Sequence, residues 1–245
     1  MSGHSHARTI RHQKNITDQK RGQMFSKMAR VISVAVKEGG PNPETNNKLR
    51  VAIEQAKGVN MPKNNIERAI QQATGGGQEA NLEEVLFEAY GPGGIAIIIE
   101  GITDNKNRTL GEIKQVLSQN GGKLVGEGSV KWMFKRRGCV LLDPESQIED
   151  LKNKEKLELL AIEAGAEDIY WHDELLDIYT KIEDLEKIKK FLEEKKIKIE
   201  SASLDWVPKE EISLDEKTKG ACQKLFDALD ENEAVQEIYS NMKFS

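Results

Sequence analysis

Cysteine is nearly absent from this chain. Cys139 and Cys222 are the only two in 245 residues, with no CxxC spacing, so the sequence encodes neither a disulfide framework nor a zinc ribbon. Long apolar runs are missing as well. The longest, Ile95 to Ile99, covers five residues before Glu100, far short of the ~20 that a membrane-spanning helix needs. The N-terminus lacks the apolar core of a secretory signal, and the expectation is a cytoplasmic protein with no membrane partner. With 38% hydrophobic and 5% aromatic residues, the chain can fill modest cores, which over this length implies two or three domains.

Acid is scarce at the front of the chain. The first thirty residues hold Arg8, Arg11, Lys14, Lys20, Arg21, Lys27 and Arg30 against Asp18 alone, and His4, His6 and His12 lie among them. Residues 1–78 carry a net charge of +8 and the remainder −13, giving −5 overall. Ile10 and Ile16 are the only large apolar residues between Met1 and Gly22. So little apolar surface cannot offset the entropy of ordering, so residues 1–22 are expected to form a flexible basic arm. Such an arm suits phosphate, with the acidic rear projecting away.

From Met24 a helical period begins, with Phe25, Met28, Val31 or Ile32, Ala35 and Val36 on one face, and Gly39-Gly40 ends it. Asn42-Pro43 has the form of a cap followed by proline at the first helical position, opening a second helix with the stripe Leu49, Ala52, Ile53 and Ala56. Pro62 opens a third, carrying Ile66, Ala69, Ile70 and Ala73 inward, and Gly75-Gly76-Gly77 reads as a hinge. Beyond it the period changes to that of strands. Residues 85–90 and 94–99 form a hairpin about Gly91-Pro92-Gly93-Gly94, a helix follows over 107–119, and strands are expected at 129–135 and 139–142 with Arg136-Arg137-Gly138 turning between them. Residues 139–204 then alternate as βαββαβ, with the last strand at 197–204, which is the ferredoxin-like order. A helix over 215–229 and a strand at 235–239 are too small to fold alone and should complete the sheet begun near 83.

The expected fold class is α+β and multidomain. An arm (1–22) precedes a small helical domain (23–78), followed by a discontinuous α+β domain (79–133 with 206–245). A ferredoxin-like domain (134–205) is inserted into the latter.

Several motifs invite chemistry and do not carry it. Three histidines without a fourth ligand make poor zinc spacing. Gly91 to Gly94 leads into a strand, whereas a phosphate-cradling loop needs a helix N-terminus after it. Thr103 to Thr109 holds good capping residues, and capping explains them better than a phosphate track through Lys106 and Arg108. Adjacent glutamates such as Glu193-Glu194 point apart and cannot act as an acid–base pair. No cofactor, metal, catalytic residue or small-molecule substrate is expected.

Six stretches in order carry a resemblance: GHS at 3–5, Arg11-His12, MPKNNIERAI at 61–70, YGPGGIAIIIE at 90–100, TDNKNRT at 103–109 and GSVKWMF at 128–134. Together they resemble the YebC/PmpR family, whose members include the mitochondrial translational activator of cytochrome c oxidase subunit I. The resemblance implies a helical domain and two α+β domains, the last inserted. It also implies a DNA-binding transcriptional regulator or a ribosome-associated factor easing translation of difficult stretches such as proline runs, without enzymatic activity. Where that family usually continues GHS with Lys-Trp, this chain has His6-Ala7, so neither the cation nor the stacking ring is available there.

Ribosomal RNA is the preferred partner and duplex DNA the alternative. The residues expected to contact nucleic acid are Arg8, Arg11, His12, Lys14, Lys20, Arg21, Lys27, Arg30, Lys63 and Arg68. The duplex reading rests on the helix after Pro62, which offers Lys63, Asn64, Asn65, Arg68, Gln71 and Gln72 to a groove.

Overall fold

The computed structural model describes residues 18–75, 81–172 and 174–243. The described chain falls into two compact units: residues up to Trp132 together with Ser213–Ser240, and Met133–Ile212 together with the residues from Asn241. The fold is mixed α+β, with N-terminal helices followed by two antiparallel four-stranded sheets.

In the first unit, helix α1 (Asp18–Gly39) packs against α2 (Asn47–Gly58) and α3 (Lys63–Thr74). Met28, Ile32, Ala35 and Val36 of α1 meet Leu49, Ala52 and Ala56 of α2 and Ile66 and Ala69 of α3 in one core. Helix α1 begins earlier than the apolar pattern suggests. Gln19, Lys20 and Arg21 are good helix formers, and a polar turn adds readily to a helix nucleated by its apolar stripe. Lys20 and Arg21 thus belong to α1 and not to an arm.

The cap of α2 is Asn46, with Asn42 instead forming a turn whose side chain accepts from the Glu44 N–H at 3.0 Å. Buried Asn46 accepts from the Leu49 N–H at 3.0 Å and donates to the carbonyls of Ala35 (2.7 Å) and Gly40 (2.8 Å). One amide thereby closes the end of α1 and the start of α2. Asn46→Ala should cost about 2–3 kcal/mol, the loss of a cap plus two carbonyls left short of a partner. A fall in the urea midpoint at unchanged slope would register it.

Strands β1 (Glu83–Tyr90) and β2 (Ala96–Thr103) form the expected hairpin, Phe87 opposite Ile99. Helix α4 (Lys106–Gln119) leads to the short β3 (Lys123–Val125), which pairs with β1. After the second unit, α7 (Glu216–Asp230) and β8 (Val235–Ser240) return, and β8 pairs with β2. The sheet order is β3-β1-β2-β8. Gly101 permits the approach at the β2–β8 irregularity, since a Cβ there would lie 2.6 Å from the Ala234 carbonyl oxygen.

The second unit runs β4 (Phe134–Leu142), α5 (Lys154–Ala164), β5 (Asp168–His172), β6 (Leu175–Thr180), α6 (Leu185–Glu194) and β7 (Ser201–Pro208). Its sheet order is β5-β6-β4-β7 with every neighbour antiparallel, the ferredoxin-like arrangement.

Two expectations fail here. Arg136-Arg137-Gly138 is not a turn and the strand expected over 129–135 begins only at Phe134: β4 is continuous from there and pairs with β7 from Phe134 to Leu141. Gly138 serves a close approach, because a Cβ would collide with the Thr180 hydroxyl and sit 3.0 Å from Leu185 Cβ. Arg136 lies over the Trp206 ring at 4.9 Å. The last strand starts at Ser201 and runs past residue 205, so the inserted sheet ends at Pro208. Residues 197–199 are taken up elsewhere, while the Glu200 N–H already bonds the Leu141 carbonyl of β4 at 3.0 Å. The Gln147 amide bonds both the N–H and the carbonyl of Lys198 at 2.8 Å, and the Ile197 N–H bonds the Leu192 carbonyl at 2.9 Å.

Candidate nucleic-acid interface

Arg8, Arg11, His12 and Lys14 lie outside the described residues, as do His4, His6 and Gly76-Gly77. Of the remaining expected contacts, Lys20 and Arg21 are exposed at the start of α1, and Lys63 and Arg68 are exposed on α3. Lys63 stands 3.6 Å from Glu67 one turn on, a surface pair worth little. Asn64, Gln71 and Gln72 share the exposed surface of α3.

Lys27 and Arg30 have a different role. They occupy a second stripe of α1, with Val31 and Val34, that faces Leu82 and Ile102. Lys27 is 8% exposed, and its ammonium donates to Asp230 Oδ1 at 2.6 Å and to the Asp230 carbonyl at 2.8 Å. Arg30 donates to the Ile102 carbonyl at 3.2 Å and to Glu233 at 3.0 Å. Their donors hold the helical layer to the end of α7, leaving little for phosphate. Arg30 also borders a groove of about 490 Å³ lined by Ser26, Ala29, Leu82, Asp104, Arg108 and Glu233.

The stretch from Thr103 to Thr109 caps α4 as its residue types suggest. The Thr103 hydroxyl accepts from the Asn105 N–H (3.0 Å), Asn105 accepts from the Arg108 N–H (3.0 Å), and the Thr103 and Thr109 hydroxyls pair at 2.8 Å. Cys139 and Cys222 are buried in cores; burial raises the Cys222 thiol pKa, away from reactivity.

One feature escaped the sequence. Glu88, in the middle of β1, is 2% exposed. Its carboxylate accepts three backbone N–H groups: Gly128 (2.6 Å) on one oxygen, Val130 (2.6 Å) and Lys131 (2.8 Å) on the other. Burial alone would raise its pKa, but these three donors together with the nearby Lys131 charge outweigh it and hold the pKa below the ordinary value. The carboxylate thereby fixes the segment after β3, with Val130 fully buried as its anchor. At the end of that segment Trp132 is 64% exposed, and its indole N–H donates to the Ser129 carbonyl at 3.0 Å. A glutamate amid Leu86, Phe87 and Ala89 was the available signal, and only long-range contact explains it.

Among the described residues no cluster of three metal-ligating side chains occurs, and no helix is long and apolar enough to cross a membrane. Residues 5–76 match the model of the TACO1/YebC protein N-terminal domain, and residues 82–242 that of the TACO1/YebC second and third domain. A protein of Halothermothrix orenii named a probable transcriptional regulatory protein is 48% identical over 98% of this chain and 94% of its own length. One of the same description from Thermoanaerobacter pseudethanolicus is 43% identical over 99% and 97%. The crystal structure of a conserved hypothetical protein from Aquifex aeolicus matches with a TM-score of 0.87 and 41% identity, covering 96% of each chain. A chain matched by family models in all three domains, and by relatives along nearly its whole length, belongs to the TACO1/YebC family.

Proposed function

We propose that this chain is a cytoplasmic, non-enzymatic regulator that binds RNA, with the ribosome as its target, and that it assists translation of difficult stretches such as proline runs. The regulator class is supported by the names of the relatives. The RNA reading is carried by one observation. Lys27 and Arg30, cations a groove-docking helix would use, are held by Asp230, Glu233 and backbone carbonyls. The other five cations of the first thirty residues, Arg8, Arg11, Lys14, Lys20 and Arg21, fall within the first 21, where only Asp18 opposes them. A basic N-terminal sequence suits irregular RNA crevices, whereas duplex readout needs a basic helix face. The alternative, a DNA-binding transcriptional regulator, is favoured by Lys63, Asn64, Arg68, Gln71 and Gln72 on the exposed surface of α3.

Sedimentation with ribosomes, run beside titration of random duplex DNA at two salt concentrations, separates the two. Comigration at physiological salt with weak, unselective duplex binding supports the RNA reading. Selective duplex binding without comigration reverses it. If Arg8, Arg11, Lys14, Lys20 and Arg21 touch about five phosphates of single-stranded RNA, log affinity should fall against log salt with a slope near −3.5. Replacing Arg8, Arg11 and Lys14 by alanine should flatten that slope by roughly 2. An unchanged slope would place the phosphate contacts elsewhere.

A further inference from the structure

Three tryptophans are present in the chain, and two of them are engaged. Arg136 covers the Trp206 ring at 4.9 Å. Lys154 lies 4.8 Å from the Trp171 ring centre, and the Trp171 N–H donates to Glu158 at 2.6 Å. Trp132 differs: at 64% exposure it leaves much of a large apolar ring in water, a position the hydrophobic effect disfavours. The segment that carries it is nonetheless tied down: the indole N–H is bonded to Ser129, Val130 is buried, and buried Glu88 takes the N–H groups of residues 128, 130 and 131. A buried carboxylate committed to one short segment, with a bare indole at its tip, is a presentation device.

The surroundings decide what it presents to. A protein-docking aromatic sits among other apolar side chains that exclude water. In the unit that carries Trp132, the other large hydrophobic with notable exposure among the described residues is Leu110, at 38%. Around Trp132 the segment offers Gly126, Glu127, Gly128 and Lys131, all exposed. An exposed ring preceded in sequence by an exposed lysine, on a segment with exposed glycines at 126 and 128, has the elements of a platform on which an unpaired base stacks.

We infer that Trp132 is a nucleobase-stacking site for single-stranded RNA, with Lys131 beside it for the adjoining phosphate. This rests on the RNA-binding reading above and adds residues outside the basic N-terminal sequence.

The test uses the full-length protein, an oligoadenylate of twelve nucleotides, and ribosomes. The difference in tryptophan fluorescence between wild type and Trp132→Phe isolates the Trp132 signal, which the oligoadenylate should quench. Trp132→Ala should weaken oligoadenylate binding roughly 5- to 150-fold, and Trp132→Phe should recover most of that loss. Thermal unfolding of both variants should match wild type, because the ring buries little. Absence of quenching, or Trp132→Ala binding the oligoadenylate as tightly as wild type, overturns the inference while leaving the arm-based reading intact. If Trp132→Ala instead weakens ribosome binding alone, the ring meets the ribosome in some other way and stacking on a single strand is wrong. Should wild type bind neither oligoadenylate nor ribosomes, the function itself fails, a separate result.

Discussion

Replacing Glu88 by alanine should destabilise the unit containing β1 by about 3–5 kcal/mol, because three N–H groups lose one shared acceptor and a buried void replaces it. Glu88→Gln keeps the shape but turns an NH₂ toward donors, so about 2–3 kcal/mol is expected. The glutamine variant also isolates a pH effect. Glu88 has a native pKa below the ordinary 4.5, so its contribution is fully present above 4.5. That contribution declines as pH falls through the lowered native value. The stability gap between wild type and Glu88→Gln, from urea unfolding, should therefore be constant at neutral pH and narrow in acid. A gap that widened on acidification would mean that Glu88 is protonated in the folded state. The alanine variant should also free the segment to Trp132, giving faster amide exchange at Val130 with β1 otherwise protected.

The second large effect concerns Lys27. Asp230→Ala removes the carboxylate from Lys27, whose side chain is only 10% exposed. Breaking one side of such a pair should cost about 3 kcal/mol. Lys27→Met, which keeps the aliphatic stem and removes the charge, should cost less, since the Asp230 side chain retains 29% exposure and can be solvated. Neither variant should change the salt slope of RNA binding, provided folding is checked first. A reduced slope for Lys27→Met with unchanged stability would return Lys27 to the phosphate surface.

These residues show where sequence reading reached its limit. Helices with a clear apolar stripe were legible, as were the β1–β2 hairpin and the βαββαβ order, because local periodicity encodes them. Lys27 and Arg30 looked like phosphate ligands from their neighbours in sequence, but their partners Asp230 and Glu233 lie 203 positions away. Arg136-Arg137-Gly138 looked like a turn by composition. Its extended form is set by pairing with β7 and by the Thr180 and Leu185 side chains packed against Gly138. Asn42-Pro43 was a plausible cap, yet Asn46 supplies one that also reaches back to Ala35 and Gly40. Neither Glu88 nor Trp132 stands out in the sequence, because their setting exists only once residues 128–131 fold back onto Glu88.

The split of the first sheet across the chain has a consequence for synthesis. Strand β2 ends at Thr103 and its neighbour β8 begins at Val235, so at ~5–20 residues per second the ribosome needs roughly 7–26 s to supply the missing strand. During that interval the Ile97-Ile98-Ile99 edge has no partner on the β8 side, and such an edge is a template for mispairing. The inserted sheet, with all four strands made by Pro208, can close earlier inside a host that is still incomplete. The interval of greatest aggregation risk is thus set by elongation speed through residues 104–234, and slowing translation there should lower soluble yield even where the finished protein is stable.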